Sequence, residues 1–280
     1  MNLLKMRRKI LAISLILTAI IAISLKNKKR YVPVSQREAV EKIGGKLQDS
    51  KVLLARAEGY FQKGELAKAK EIYQKIVKHY PDSEVGKKAE ERLGQTNIKL
   101  LFSPFNMENS EIYKVKPGDN LFTIAKKFGT TVDLIKKSNN LESSAIYPEQ
   151  RLKIPRAKFS ILIDKSDNTL TLEADDKFLK KYLISTGKNN STPLGEFKIV
   201  SKLIDPVWYF QGKAISPQSP SNILGSRWLG LSVEGYGIHG TSEPETLGKQ
   251  ITRGCIRMLN EDVEELYSIV PIGTKVIIQD

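Results

Sequence analysis

The stretch YGIHGTSEPETLGKQITRGCIRM, Tyr236–Met258, contains the single cysteine of the 280-residue chain, Cys255, and one of its two histidines, His239. The segment YGIHG is typical of a strand that ends at Gly240, and TRGC is typical of a tight turn. The cysteine follows the histidine by sixteen residues, which is enough chain for the turn to reach back to the strand. We therefore expect the imidazole and the thiol to lie close together in a β-rich fold.

These two side chains are suited to acyl transfer. A thiol has a reference pKa of about 8.5, so little of it is thiolate at neutral pH. An adjacent imidazole accepts the thiol proton, either in an ion pair or as a general base. Gly254 allows a close approach to substrate and leaves N–H groups free to face an oxyanion. The residues alone leave an alternative, in which Cys255 and His239 are ordinary packed side chains.

The sequence on both sides of this stretch predicts strands. Residues 159–186 alternate apolar and polar side chains, and TPLGEFKIVSK and GTKVIIQD continue the alternation. Only Asn260–Val270 has helical periodicity, with Asn260 as a candidate N-cap. Residues 158–280 are therefore predicted to form one β-rich domain.

A strand, two helices and a second strand are predicted for residues 111–156. YKV is a short strand, KPGD is a turn, and Asn120 caps a helix that ends at Gly129. A second helix starts at Thr130 or Thr131, and RLKIP closes the segment as a strand. The prediction is a small βααβ domain.

Helical periodicity dominates residues 51–98. Gly64 separates two helices, which form a hairpin, and Asp82–Leu93 predicts a third helix. Polar sequence at 31–50 and turn-forming sequence at 99–110 predict linkers.

Residues 1–30 combine basic side chains with an uncharged apolar run, Ile10–Leu25. As a helix this run spans about 24 Å, a little less than the hydrocarbon core of a bilayer. The pattern is typical of a signal peptide or an uncleaved signal anchor. The basic residues that follow favour the anchor, so we expect an N-terminal membrane helix and domains outside the cytoplasm, in the cell envelope.

The chain is basic, with 45 Lys and Arg against 31 Asp and Glu. More than half of the excess lies within Met1–Ser50, where acidic lipid explains it better than nucleic acid does. The sequence has no zinc-type Cys/His pattern and no aromatic RNA-binding signature. We expect no nucleic-acid partner, no metal and no cofactor.

The helical segment resembles one tetratricopeptide repeat. The residues at the expected offsets are Ala57, Tyr60, Gly64, Ala69, Tyr73 and Pro81. Arrays of this repeat normally need about three copies for stability. The segment is therefore interpreted either as a spacer or as a module that binds a protein partner.

Tyr113–Pro155 resembles a LysM domain along its whole length. The residues that carry the resemblance are Val115, Pro117, Gly118, Asp119, Leu121, Ile124, Ala125, Leu134, Asn139, Leu152 and Ile154. The resemblance implies binding to polymers that contain N-acetylglucosamine, such as peptidoglycan. The implied groove residues are Gly118, Asp119, Asn120, Leu121, Ile146 and Tyr147. The alternative is a LysM fold that has lost its sugar groove.

The C-terminal domain resembles the YkuD-like L,D-transpeptidase catalytic domain, through IHGT, TRGCIRM, STGKNNSTPLGEFKI and LGLS. The resemblance implies that Cys255 is the nucleophile, that His239 is the general base and that the Gly240 carbonyl orients the imidazole. It also implies an oxyanion hole made by the N–H groups of Gly254 and Cys255. The implied substrate-binding residues are Arg257, Thr252, Arg253 and Trp228. Thr252 replaces the usual Ser, and Arg253 replaces a common second His.

The implied function is formation of 3→3 cross-links between peptidoglycan stem peptides. Cys255 would form a thioester with the third residue of a tetrapeptide stem, release D-Ala and pass the acyl group to an amine of a neighbouring stem. Water as the acceptor would make the protein an L,D-carboxypeptidase. A further alternative is a non-catalytic scaffold protein that binds glycan strands.

Overall fold

A computed structural model describes residues 34–104 and 109–280 of the chain. The predicted signal segment, residues 1–30, lies outside this range. Across the described residues, no helix combines the length and the apolar character needed to cross a bilayer. Residues 52–280 form one compact unit.

Three helices precede the strands. They are α1 Val34–Gln62, α2 Leu66–His79 and α3 Glu84–Leu101. Gly64 has a φ of +73° in the turn between α1 and α2, as the sequence predicts. Ser83 caps α3, because its Oγ accepts a hydrogen bond from the N–H of Gly86. The apolar faces pack into one cluster that includes Ala57, Ala69, Ile72, Tyr73, Ile76, Val85, Ala89 and Leu93.

Both predicted linkers are partly wrong. Helix α1 already covers residues 34–50. Val40, Ile43 and Leu47 have helical spacing there, but Gly44 and Gly45 lower the helix propensity and make a linker the prediction. Helix α3 continues to Leu101, because Ile98 and Leu101 are buried against the strands that follow. The tetratricopeptide resemblance stays a prediction.

The predicted βααβ order is confirmed for the next segment. Its elements are β1 Ser110–Lys114, α4 Leu121–Phe128, α5 Val132–Ser138 and β2 Arg151–Pro155. The two strands pair antiparallel. Asn120 and Thr123 form a capping box at the start of α4, and Gly129 ends that helix with a φ of +65°. Thr131 caps α5.

Within the described residues 109–280, the C-terminal domain has twelve strands: β3 Phe159–Asp164, β4 Thr169–Ala174, β5 Lys177–Leu183, β6 Thr186–Gly187, β7 Gly195–Ile204, β8 Trp208–Phe210, β9 Lys213–Ile215, β10 Arg227–Leu231, β11 Gly237–His239, β12 Gln250–Thr252, β13 Ile256–Arg257 and β14 Lys275–Gln279. Eight of them form the central sheet, in the order β13-β11-β10-β7-β14-β3-β4-β5. The pairs β3–β14 and β11–β13 are parallel, and the other neighbours in this sheet are antiparallel. Strands β6 and β12 form a short parallel ladder, and β8 and β9 form a hairpin. Helix α6, Asn260–Ile269, lies against the sheet.

The helices and the βααβ domain share a core with this sheet. Ile98 and Leu101 of α3 and Leu134 of α5 belong to the same buried cluster as the strand residues. At the carboxyl end of α6, the hydroxyl of Thr131 donates to the Ser268 carbonyl. Residues 52–280 therefore form one packed unit.

Helix α3 covers the edge strand β5. The side-chain amide of Asn97 donates to the carbonyl oxygens of Phe178 and Leu179 at 3.4 and 3.0 Å. Lys181 of β5 forms a 2.6 Å ion pair with Glu90 of α3. Because an open edge presents unpaired backbone groups to other chains, this contact protects the sheet.

A buried lysine joins β2 to the end of α3. Lys153 is 2% exposed, and its ammonium group donates to the carbonyl oxygens of Ser103 at 2.7 Å, Leu101 at 3.3 Å and Leu100 at 3.5 Å. A cation at this end of a helix interacts favourably with the helix dipole. Burial lowers the pKa of Lys153 to about 8.

We predict that Lys153 makes the free energy of unfolding rise with pH above about 8. The folded protein releases this proton at about pH 8, whereas the unfolded chain holds it up to about pH 10.4. Lys153→Met removes this titration. The slope of the free energy of unfolding against pH is therefore steeper in the wild type than in the variant, by up to about 1.4 kcal/mol per pH unit. Denaturant unfolding between pH 8 and 10 measures both slopes.

The control is Lys126→Met, at an exposed lysine of α4. In this variant the free energy of unfolding should depend on pH as it does in the wild type. Equal slopes for the wild type and Lys153→Met would contradict the prediction.

Candidate active site

The register of three neighbouring strands aligns the predicted catalytic residues on one face of the sheet. Trp228 of β10 pairs with His239 of β11, and His239 pairs with Arg257 of β13. Cys255 precedes β13 and lies two residues before Arg257, so it is next to Gly237 and diagonal to His239. Such a diagonal separates Cα atoms by roughly 8 Å, a distance that the two side chains can bridge.

The indole of Trp228 stacks on the imidazole. The ring centroids of Trp228 and His239 are 5.9 Å apart with an interplanar angle of 17°. A Cβ at Gly237 would lie 2.5 Å from the indole ring, and a Cβ at Gly230 would lie 2.9 Å from its Nε1. The two glycines therefore make room for an indole that supports the imidazole from one side.

The imidazole of His239 is buried, with 2% of the residue exposed. Its Nδ1 lies 2.7 Å from the carbonyl oxygen of Gly240. Because a carbonyl only accepts, Nδ1 carries the proton, and Nε2 is the nitrogen of the neutral ring that has a lone pair to accept one. Burial lowers the pKa of His239 to about 4, against the opposing effect of the Gly240 carbonyl. The ring is therefore neutral at neutral pH.

The thiol of Cys255 is half-buried and forms no disulfide. Its Sγ lies 3.6 Å from the carbonyl oxygen of Gly235. Burial raises the pKa of Cys255, while a backbone hydrogen bond from Gly237 and the charge of Arg257 act in the opposite direction. The resting pair is therefore a neutral thiol and a neutral imidazole, which favours the general-base alternative over the ion pair.

Two threonines hold the turn that carries the thiol. The hydroxyl of Thr252 donates to the Cys255 carbonyl at 2.6 Å and accepts from the N–H of Gly254 at 3.1 Å. The hydroxyl of Thr192 donates to the Gly254 carbonyl at 2.8 Å and accepts from the N–H of Gly187 at 2.7 Å. Both threonines are buried, so these bonds fix the backbone on both sides of the nucleophile.

These hydrogen bonds correct two predictions. The N–H of Gly254 already has an acceptor, so it is not free to face an oxyanion. The hydroxyl of Thr252 is occupied within the turn, so this residue positions the turn instead of binding substrate. Gly254 has a φ of +131°, and a Cβ there would lie 2.6 Å from the Tyr236 ring, so the fold itself requires glycine at this position. The close approach of Gly254 to substrate stays a prediction.

The two arginines of the motif have partners within the protein. Arg257 is 6% exposed, and one guanidinium nitrogen donates to Glu243 at 2.7 Å and to the Thr246 hydroxyl at 3.0 Å. Its Nε is buried and has no hydrogen-bond partner among the described residues. Arg253 is exposed, and its guanidinium lies 4.4 Å from the ring centre of Phe210 in the β8–β9 hairpin. Sequence patterns do not identify Glu243 or Phe210, because their contacts depend on loop conformation.

Asn260 does not cap α6, contrary to the prediction. Leu259 is the N-cap, and Asn260 is the first residue of the helix. Its side-chain amide accepts from the N–H groups of Ser226 and Thr241 and donates to the Thr241 carbonyl. The residue therefore connects the start of α6 to the segments beside β10 and β11.

One of the six residues predicted to line the glycan groove, Leu121, is buried. The Leu121 side chain is 2% exposed and packs in the core of the βααβ domain, so the prediction is wrong for this side chain. Asp119 accepts hydrogen bonds from the Lys116 N–H and the Tyr113 hydroxyl, both at 2.8 Å, which lower its pKa. Asp119 therefore stabilises the turn.

The other four groove residues are accessible. Gly118, Asn120 and Tyr147 are exposed, and Ile146 is half-buried. The N–H of Val115 donates to the carbonyl of Gln150, and the N–H of Glu149 donates to the carbonyl of Val115. These bonds bring the loop that contains Ile146 and Tyr147 beside the turn that contains Gly118. Phe122, which the sequence analysis missed, is also an exposed aromatic side chain, 69% exposed.

A metal site is not evident within residues 34–104 and 109–280. No group of three or more His, Cys, Asp and Glu side chains there could hold an ion.

Comparison with known proteins identifies both domains. The YkuD family model, which describes the L,D-transpeptidase catalytic domain, matches residues 158–278, and the LysM domain model matches residues 113–155. The YkuD protein of Bacillus licheniformis is 38% identical over 175 residues, which cover 60% of this chain and 98% of that protein. The YkuD protein of Bacillus subtilis (strain 168) is 36% identical over 173 residues, which cover 59% of this chain and 97% of that protein.

A third relative is YqjB of Bacillus subtilis (strain 168), 38% identical over 143 residues, with 49% of this chain and 80% of that protein covered. All three carry L,D-transpeptidase in their names. The two YkuD alignments are longer than the catalytic match, so the similarity extends beyond residues 158–278. The chain belongs to the YkuD family of L,D-transpeptidases, peptidoglycan enzymes, and carries a LysM domain before its catalytic domain.

Proposed function

We propose that this enzyme forms 3→3 cross-links, with Cys255 as the nucleophile and His239 as the general base. The pairing of β11 with β13 carries the proposal, because a half-buried thiol and a neutral imidazole share one face of neighbouring strands. The hydrogen bond from Nδ1 to Gly240 leaves Nε2 as the proton acceptor.

In the first half-reaction, the Cys255 sulfur bonds to the carbonyl carbon of the third stem residue, and the thiol proton passes to His239. The C–N bond to D-Ala then breaks, and the imidazolium protonates the leaving amine. The products are a thioester on Cys255 and free D-Ala. The N–H of Cys255 is the oxyanion donor in this proposal, since that of Gly254 is occupied by Thr252.

In the second half-reaction, an amine of a neighbouring stem attacks the thioester and gives a proton to His239. The C–S bond breaks, and the imidazolium returns the proton to the sulfur. Incubation with tetrapeptide-stem muropeptides, followed by mass spectrometry, tests this reaction. A 3→3 dimer with release of D-Ala is expected, whereas tripeptide without a dimer would indicate an L,D-carboxypeptidase.

Arg257 is the proposed binding site for a substrate carboxylate. Its guanidinium is paired with Glu243, which is exposed and lies on the loop after β11. A substrate carboxylate would replace that of Glu243, so the loop would move outward as substrate binds.

Targeting is proposed to involve the other parts of the chain. The LysM match supports attachment to glycan strands through Gly118, Asn120, Ile146 and Tyr147. The apolar run within residues 1–30 supports an anchor in the cytoplasmic membrane. The helical segment is proposed to bind a protein partner.

We predict that a carbapenem forms a covalent adduct with Cys255. The thiol should attack the carbonyl of the strained β-lactam ring in the same way that it attacks the stem carbonyl, and so open the ring. Intact-protein mass spectrometry should show the adduct on the wild type and none on Cys255→Ser. His239→Ala should slow acylation by about 100-fold or more, the usual contribution of a general base.

The control is His79→Ala, at the other histidine, which is exposed in α2. It should acylate at the wild-type rate. A folded wild type that pellets with glycan and forms no adduct would instead support the scaffold alternative.

We predict that the acylation rate constant falls on the acid side of its pH profile, the acid limb, with a midpoint near pH 4. His239 accepts a proton only when it is neutral, and its pKa is lowered to about 4. The acylation rate constant should therefore change little between pH 7 and 5 and fall by half at about pH 4. Stopped-flow measurement with a carbapenem gives this profile, and a midpoint of about 6.5, the ordinary value for histidine, would contradict it.

We predict that Glu243→Gln lowers KM for a tetrapeptide donor by about 3- to 10-fold with little change in kcat. The substitution removes the negative charge that competes with the substrate carboxylate at Arg257. Glu245→Gln, an exposed position in the same loop, is the matched control and should leave KM unchanged. Equal effects of the two substitutions on KM would argue against the carboxylate site.

A further inference from the structure

The Gly240–Thr241 peptide unit touches the imidazole at one end and Asn260 at the other. Its carbonyl oxygen accepts the proton on His239 Nδ1 at 2.7 Å. Its N–H, which belongs to Thr241, donates to Asn260 Oδ1 at 3.1 Å. Because a peptide unit is planar, the direction of the N–H fixes the direction of the carbonyl. The orientation of the imidazole therefore depends on Asn260.

Asn260 also bonds to the next peptide unit, Thr241–Ser242. Its Nδ2 donates to the carbonyl oxygen of Thr241 at 3.0 Å, so both backbone groups of Thr241 are bonded to one side chain. Its Oδ1 also accepts from the N–H of Ser226 at 3.1 Å, just before β10. Two hydrogen bonds from a residue at the start of α6 therefore restrain the end of β11, and a third connects it to the residue before β10.

The surrounding packing leaves this amide little room. A Cβ at Gly225 or at Gly240 would collide with Asn260 Oδ1. The carbonyl of Gly240 accepts the hydrogen bond from His239 Nδ1, and the missing side chain of Gly240 leaves room for Asn260 Oδ1. The two glycines and the amide thus fit together as one unit next to the imidazole.

We propose that Asn260 is a positioning residue for the reaction: it holds the Gly240 carbonyl so that His239 keeps Nδ1 protonated and Nε2 available. The inference rests on the proposed role of His239 as the general base. Without Asn260, the peptide rotates more freely, and the tautomer with the proton on Nε2 becomes populated. That tautomer cannot accept the thiol proton.

Asn260→Ala tests the proposal. With a soluble tetrapeptide donor, kcat should fall by about 10- to 100-fold while KM stays within about threefold, in line with other partners that orient a histidine. Titration with a carbapenem gives the active fraction, so that kcat refers to folded enzyme. Unchanged kcat per active site would overturn the proposal.

Asn260→Asp provides a second readout. A carboxylate keeps the acceptor for both N–H groups and suits the first turn of a helix, so this variant should fold. It should recover part of the kcat lost in Asn260→Ala. Its negative charge favours the imidazolium, so the acid limb of acylation should move to higher pH than in the wild type. An unmoved acid limb would count against a link between Asn260 and His239.

The matched control is Asn139→Ala in the βααβ domain. Asn139 also makes three hydrogen bonds to backbone groups, two with Lys153 and one with Ile135. This control should lose stability but keep the kcat and the acid limb of the wild type. If its kcat per active site falls as far as that of Asn260→Ala, the effect is general and the proposal fails.

The variants also separate this inference from the proposed function. Retained cross-linking in Cys255→Ser or His239→Ala would refute the proposed function itself. Inactive Cys255→Ser and His239→Ala, together with wild-type behaviour of both Asn260 variants, would refute only the positioning inference.

Discussion

The parallel pairing of β11 with β13 is the constraint on which the catalytic site depends. It sets His239 against Arg257 and leaves Cys255 on the same face of the sheet. A slip of one residue in this register would turn the imidazole and the thiol to opposite faces. The bonds of Thr252 and Thr192 hold the thiol end of the pair, and those of Asn260 hold the imidazole end. The functional atoms are thus fixed by backbone contacts on both sides.

Burial gives this pair its electrostatic character. The same loss of water that keeps His239 neutral also keeps Cys255 protonated. Because oxidants attack the thiolate, a protonated sulfur resists oxidation better than a thiolate does. In the proposed mechanism, proton transfer from Cys255 to His239 accompanies attack on a carbonyl carbon, so the thiolate forms only when substrate is present.

The sequence predicts the features that are encoded locally. The βααβ order follows from Asn120 and Gly129, because a cap and a stop act on neighbouring residues. The sequence motif likewise identifies the thiol of Cys255 and the imidazole of His239. The sequence does not reveal that Thr252 occupies the N–H of Gly254, or that Asn260 bonds to Thr241 across nineteen positions, since these contacts exist only once the turn has closed. The sequence does not predict helix at residues 34–50, because Gly44, Gly45 and many polar residues obscure the helical spacing of Val40, Ile43 and Leu47.

The cover that α3 provides for β5 has a consequence for the architecture of the whole enzyme. The Asn97 amide caps carbonyl groups that an isolated catalytic domain would present to solvent. A shortened chain with only the LysM and catalytic domains would expose β5 as an edge strand. Copies of that chain would tend to associate by pairing their exposed edge strands. Helix α3 therefore covers backbone groups of β5 through which two copies of the catalytic domain could pair, so a fusion protein that replaces this helix needs another segment over the same edge.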